Sequence, residues 1–327
     1  MRMHEVAERA GVSRMTVSRA LNAPERVKDG VRQRVLEAVA ELGYVHNHLA
    51  RSLSSCRSTV IGLVLPSLEN SIFAQTVKAI SDVLQPAGFQ LMLAEAGDDP
   101  AAEEKVIASF VAQRVAGLIL HGTRHSAAAA RMLGSAAMPV VENGDLPAEP
   151  LDMVVSYSNR AAARAMTLHL ARLGYRDIAF AGLADNPRAS EREGGFREAM
   201  AELGRAVAPA RVVRVGRGFA GGAEAIAHLE TQAREVDALF CAGDVLAVGA
   251  LFECDRRGWA VPGRLALASF DDLELMRHVN PPLTALRLPR AEIGKRSAEL
   301  LLARLEGRDP PSRTIDLGFE IVQRAST

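Results

Sequence analysis

The sequence predicts an all-α helix-turn-helix head followed by an α/β core of two doubly wound parallel-sheet subdomains. Three observations lead there. Residues 1–44 carry apolar side chains at helical spacing. From Val60 onward short apolar runs alternate with helical segments. The runs number eight, more than one sheet comfortably holds, so two subdomains with a cleft between them are expected.

In the head, Val6, Ala7 and Ala10 share one narrow face of a short helix over Glu5–Ala10, and Gly11 follows where a helix stops. Ser13 is placed to cap a second helix. There Val17, Ala20 and Leu21 point inward, while Arg14, Met15, Ser18, Arg19 and Asn22 form a basic, polar outer face. Two short helices around a glycine turn describe a unit whose second helix would enter a DNA major groove. A helical hairpin with a solvated charged face has the same spacing. Val31, Val35, Ala38, Val39 and Leu42 predict a third helix that closes the core before Gly43.

The totals agree with this division. Of 327 residues, 24% are charged and 48% hydrophobic, the proportions of a globular chain. The formal net charge of zero conceals a basic head. Residues 1–57 hold ten Lys and Arg against six Asp and Glu, leaving 29 against 33 for the remainder. Cys56, Cys241 and Cys254 are too scattered for a disulfide framework or a metal site, and polar residues follow Met1 at once. A cytoplasmic chain without a membrane segment is expected.

After the head, HNHLARSLSSCRSTV has little to bury and reads as a linker or as a short helix that orders on a partner. The strand candidates are VIGLVL (60–65), FQLMLA (89–94), GLILH (117–121), PVVE (139–142), IAFAG (178–182), RVVRV (211–215), ALFCA (238–242) and LALASF (265–270). They have two-sided apolar character and are expected to be parallel. Helical segments between them are expected at 73–84, 101–114, 159–173, 223–232 and 244–257, several ending at a turn glycine such as Gly88, Gly174 or Gly258.

The stretches AGVSRMTVSRALN, V-x-x-x-V-R-x-R-V-L-x-A-x-x-E-L-G-Y, ARSL, IGLVLPSLEN, SFDDLELMRHVNPPLTALRLP and IVQRAST resemble the lactose/galactose-repressor (LacI/GalR) family over nearly the whole chain. Within it, Arg14-Met15, LPSLEN, PVVE and DLGFEI are similar to gluconate-utilisation repressors. The resemblance implies a helix-turn-helix DNA-binding domain over 1–46, a hinge helix and linker over 47–57, and a periplasmic-binding-protein-like core over 58–327. The core would divide into one subdomain near 58–156 and 287–316 and another near 157–286 and 317–327. It also implies a homodimer on a palindromic DNA operator, controlled by a small sugar or sugar-acid effector. A cytosolic sugar-binding or sugar-modifying protein that uses the head for dimerisation is the competing expectation.

Arg14 and Met15 open the recognition helix, where an Arg can fork onto guanine and a Met can touch a thymine methyl. Thr16, Ser18, Arg19 and Asn22 would hold phosphates or base edges, although Thr16 could equally be a structural hydroxyl. From the resemblance, Asn47, Ala50 and Leu53 belong to the hinge, with Leu53 as a minor-groove wedge. His46 departs from the family's proline there. In the core, Arg192 matches the effector-binding arginine and Asp271 the effector-binding aspartate. Asp271 could instead cap a helix. Phe73 and Phe219 match aromatic positions that pack on the ligand, against the simpler reading of core phenylalanines. Asn70, His121 and Glu142 stand at or after strand ends, with His121 as readily a structural histidine. Gly243 replaces an asparagine common in relatives.

Gly216, Gly218 and Gly221 spell a dinucleotide-like G-x-G-x-x-G, but the acidic Asp237 precedes the next strand rather than ending it. The glycines are therefore expected in a cleft loop, with no cofactor, metal or catalytic constellation.

Overall fold

The computed structural model describes residues 2–44 and 58–327. It divides into two compact units, one up to Ser58 and one from Thr59 onward. Within the first, α1 (Met3–Ala10), α2 (Arg14–Asn22) and α3 (Asp29–Leu42) enclose Val6, Ala10, Val17, Ala20, Val35 and Ala38. Gly11 takes φ +65°, the left-handed conformation that lets the chain leave α1, and Ser13 Oγ accepts from the Thr16 N–H at 3.2 Å. A 3-10 turn at Pro24–Arg26 occupies the expected loop.

The second unit is built on two six-stranded sheets. The first contains β1 (Val60–Leu65), β2 (Gln90–Glu95), β3 (Gly117–His121), β4 (Val140–Asn143), β5 (Met153–Ser156) and β11 (Thr314–Asp316), in the order β11-β5-β4-β3-β1-β2. The second contains β6 (Ile178–Leu183), β7 (Val212–Val215), β8 (Ala238–Cys241), β9 (Ala266–Phe270), β10 (Thr284–Arg287) and β12 (Glu320–Val322), in the order β12-β10-β9-β8-β6-β7. Helices cover the sheets: α4 (Ala74–Leu84), α5 (Pro100–Ala112), α6 (Ala127–Ala136) and α11 (Arg290–Leu305) on the first; α7 (Asn159–Arg172), α8 (Pro187–Glu202), α9 (Gly218–Gln232) and α10 (Asp244–Arg256) on the second. Strand β1 shows why such sheets form. Ile61, Leu63 and Leu65 enter one core and Val64 the opposite one, so a wholly apolar strand is satisfied only between two helical layers.

Four expectations for the core need correction. First, strands β5, β10, β11 and β12, three or four residues long, add to the eight expected. Second, β12 runs antiparallel to β10, because a short return from the first sheet brings the chain back from the opposite direction. The third concerns β2, which is an edge strand with Met92 and Leu93 exposed rather than a strand buried on both faces. Finally, α9 begins at Gly218 rather than near 223, so part of the expected glycine loop is helical.

The chain passes between the sheets three times, after β5, after β10 and after β11. At the second crossing α11 packs on α4 so closely that a Cβ on Gly294 would lie 2.4 Å from the Thr76 carbonyl oxygen. Likewise, a Cβ on Gly195 would meet the Arg160 carbonyl at 2.0 Å, so glycine is required where α8 crosses α7.

Candidate functional site

A cleft with two lobes opens at the carboxyl ends of the parallel strands, the usual ligand position in such sheets. One lobe, about 300 Å³, is lined by Asn70, Phe73, His121, Tyr157, Arg188, Arg192, Arg217, Gly243, Asp244, Asp271 and Arg290 among others. The other, about 340 Å³, runs along Gly97–Pro100, Glu103, His121–Arg124, Gly144, Asp145, Pro187 and Arg188. Residues at the sheet crossings take part, since Tyr157 follows β5 and Arg290 follows β10.

Arg192 is held on three sides. Its Nε donates to Asn159 Oδ1 at 2.8 Å, its Nη1 donates to the Ala242 carbonyl at 2.7 Å, and its guanidinium carbon lies 3.6 Å from the centre of the Phe270 ring. Nη2 donates to no described residue. Only 7% of the residue is exposed, so this is a buried cation without a carboxylate partner among the described residues.

Asp271 ends β9 at φ +80°, a conformation costly for a non-glycine residue and characteristic of ligand sites. Its carboxylate accepts from Arg290 Nη2. Burial pushes the neighbouring Asp244 up to about 6, and the Asp271 charge adds to the effect. Burial works against the Arg290 charge, but Asp271, with Tyr157 and Asp244, outweighs it and raises Arg290. Burial, then the cations Arg188, Arg290 and Arg192, hold His121 well below the usual histidine range. The imidazole is neutral, lies edge-on to Phe73 at 4.6 Å, and leaves Nδ1 buried without a partner among the described residues.

Contacts also cross the cleft mouth. Asp98, in the loop after β2, accepts from Asn186 Nδ2 at 2.9 Å and from Arg217, with Arg188 at 3.6 Å. On the same side, Arg124 donates to Glu191 at 2.7 Å.

Of the residues expected from the sequence, Asn70, Phe73, His121, Arg192 and Asp271 line one lobe, with the Asn70 side chain also capping the turn at Ile72. Two expectations are corrected. Glu142 is enclosed behind the cleft, accepting from His125 Nε2 at 3.2 Å and the Leu151 N–H at 2.6 Å. Phe219 is 51% exposed, pairs with exposed Phe252, and lines neither lobe. The expected glycine loop is also corrected: Gly218 opens α9 at the cleft and Gly221 lies in its first turn, packed against the Gly216 carbonyl. A Cβ on Gly243 would meet nothing within 4 Å, so its missing side chain leaves free space in the site.

Arg188, Asp244 and Arg290 were missed. Arg188 stands one helical turn before Arg192, a spacing that could have revealed it; Arg290 reaches the site only through the second crossing.

In the head, Arg14, Met15 and Arg19 are exposed on α2, with Met15 62% exposed, and the Thr16 hydroxyl is paired with Ser13 at 2.9 Å. Ser18 is half-buried beside them. Asn47, Ala50 and Leu53, with His46 and the Asn22 side chain, lie outside the described residues.

A helix-turn-helix head in one chain with a two-subdomain core that carries a polar cleft defines a DNA-binding transcriptional regulator. Comparison with known proteins agrees. Residues 2–47 match the bacterial regulatory proteins of the lacI family, and residues 167–327 match the periplasmic binding protein-like domain. The HTH-type transcriptional regulator GntR of Escherichia coli (strain K12) is 36% identical over 319 residues, covering 98% of this chain and 96% of that protein. Among solved structures, a LacI-family transcriptional regulator from Silicibacter pomeroyi superposes with a TM-score of 0.91 at 33% identity over 100% of this chain and 99% of its own. The lac repressor dimer bound to operator and the anti-inducer ONPF gives a TM-score of 0.87 at 25% identity, covering 100% and 99%. The chain belongs to the LacI family of transcriptional regulators and is homologous to the GntR regulators.

Proposed function

We propose that this chain is a cytoplasmic repressor that binds a palindromic operator as a homodimer and answers to a small sugar acid of the gluconate type. The observation that carries the effector reading is Arg192. A buried guanidinium costs several kcal/mol unless an anion or hydrogen-bond acceptors compensate it. Asn159, Ala242 and Phe270 compensate part of that cost, and Nη2 remains for a ligand. A carboxylate is the natural partner of a planar guanidinium, and Asp244 and Asp271 supply acceptors for hydroxyls.

In this reading residues 1–46 form the DNA-binding head, 47–57 the hinge with Leu53 as its wedge, and 58–327 the effector and dimerisation core. Arg14 and Met15 read bases. Exposed Met92 and Leu93 on the edge strand β2 offer apolar surface for a second copy. The effector changes DNA affinity only in so far as it binds the two core arrangements unequally.

Gel-shift titration of DNA upstream of the protein's own and neighbouring genes tests the proposal, with and without D-gluconate. Salt-dependent binding to a palindrome, changed about ten-fold or more by the sugar acid, is expected. Failure to bind any such palindrome would sink the repressor reading.

A further inference from the structure

The two lobes of the cleft differ in sign. In the first, Arg188, Arg192, Arg217 and Arg290 face Glu69, Asp244 and Asp271, and the first turns of α8, α9 and α10 open onto the same space. Helix N-termini add positive potential and free N–H groups there. In the second, Asp98, Asp99, Glu103 and Asp145 face Arg124 and Arg188, and since Asp98 also pairs with Arg217 and Glu103 with His125, Asp99 and Asp145 are the carboxylates left without an ion pair among the described residues. The lobes meet at Pro66, His121 and Arg188.

Two polar atoms point to a ligand: Nη2 of Arg192 in the first lobe, which donates to no described residue, and buried Nδ1 of His121 at the meeting, which has no partner among the described residues. A third uncommitted atom lies in the acidic lobe. Asp145 accepts the N–H groups of Leu146 at 3.0 Å and Asn159 at 3.1 Å, both on Oδ1, so Oδ2 is free among the described residues.

We propose that the cleft binds a polyhydroxy monocarboxylate lengthwise, its carboxylate at Arg188 and Arg192 and its hydroxylated far end beside Asp145, and that Asp145 rejects diacids. The inference rests on the sugar-acid reading above and adds orientation and selectivity to it. A hydroxyl donates to Asp145 Oδ2, which satisfies both groups. A second carboxylate at that end has no proton to donate and meets like charge on Asp145, with Asp98 and Asp99 behind it. Discrimination of this kind comes from repulsion of the wrong ligand as much as from attraction of the right one.

Isothermal titration of the full-length protein with D-gluconate, D-glucarate and D-sorbitol provides the test. D-glucarate has the same carbon chain with a carboxylate at both ends, and D-sorbitol has none. The expected result is a Kd for D-glucarate at least about ten-fold above that for D-gluconate, with D-sorbitol weaker still. In Asp145→Asn, which keeps the Oδ1 acceptor, the ratio of the two acids' Kd values is expected to fall at least about three-fold. A smaller preference in the unsubstituted protein, or an unchanged ratio in a folded Asp145→Asn, overturns the proposal and leaves the sugar-acid reading standing. Because the first comparison needs no variant, a poorly folding Asp145→Asn does not rescue the idea. Absence of binding by either acid, with operator binding intact, overturns both.

Discussion

Asn159 joins Arg192 to the opposite subdomain. Its Oδ1 accepts from Arg192 Nε at 2.8 Å while its Nδ2 donates to the Gly144 carbonyl at 2.7 Å, just beyond β4. The Asn159 side chain is fully buried. A ligand that draws on Arg192 therefore pulls on a residue fixed to both sheets at their first crossing, a short physical route from cleft occupancy to subdomain angle.

Replacing Arg192 by Lys keeps one charge but cannot reproduce the fork that engages Asn159, Ala242 and a ligand together. Effector affinity is expected to fall by about 2–3 kcal/mol, the worth of a charge-assisted hydrogen bond to a buried partner. Isothermal titration measures the loss, and operator binding without effector reports whether the fold survives.

Asp244 gives the cleft a pH dependence. Its native pKa of about 6 lies above its ordinary value of 3.8, so the native state holds the extra proton and stability falls as pH rises through that interval, then levels. An arriving carboxylate joins Asp244 and Asp271 opposite Arg188, Arg192 and Arg290, beside neutral His121, and favours protonation further. Sugar-acid binding is expected to take up protons near pH 6 and to weaken above it. Titrations in buffers of different ionisation enthalpy reveal the uptake, and Asp244→Asn is expected to abolish it.

His125 also loses stability as pH rises, but at higher pH and through a charge that its partners favour. Burial opposes its charge, but Glu103 at 2.9 Å and Glu142 at 3.2 Å raise it from 6.5 to about 9. The stabilisation is complete below pH 6.5 and disappears as pH rises through about 9. A falling Tm across that range, flattened in Glu142→Gln, is the expected outcome of thermal melts.

Phe219→Ala is expected to leave effector affinity within about two-fold, because the ring stands on Phe252 outside both lobes. A ten-fold loss on titration would return Phe219 to the site.

In the head, Arg14→Ala is expected to cost roughly 1–3 kcal/mol of operator discrimination at one base pair. Its exposed side chain predicts no change in Tm. Ser13→Ala is expected to do the reverse. It removes the α2 cap and about 1 kcal/mol of head stability, lowering affinity for every DNA sequence alike. Gel shifts on operators with single base changes separate the two patterns.

Legibility varied with how local the governing physics was. The head was readable residue by residue: Val6, Ala10, Val17, Ala20 and Val35 are buried as their spacing required, and the Ser13 cap is in place. Long central strands such as β1 and β3 announced themselves because both faces are covered. Strands β11 and β12, three residues each, did not, since each depends on a neighbour already present in the sheet. Glu142 and Phe219 misled for one reason. Neither position at a strand end, which suggested Glu142, nor a match to a family aromatic position, which suggested Phe219, says whether His125 or Phe252 is nearer than the cleft.

By itself, then, the sequence determined what periodicity, caps and turn glycines control, a three-helix head and two α/β subdomains, while Arg192 and Asp271 became candidates through the family resemblance. Tertiary structure alone decided that Arg290, from the second crossing, pairs with Asp271, and that Asp98 meets Arg217, 119 positions away. It also placed Arg192, Arg217 and Arg290 in one lobe, Asp98, Asp99 and Asp145 in the other, and Arg188 in both. Such pairings are set by where two sheets face each other, and their charge interactions are decided by burial and distance, neither of which is encoded in local spacing.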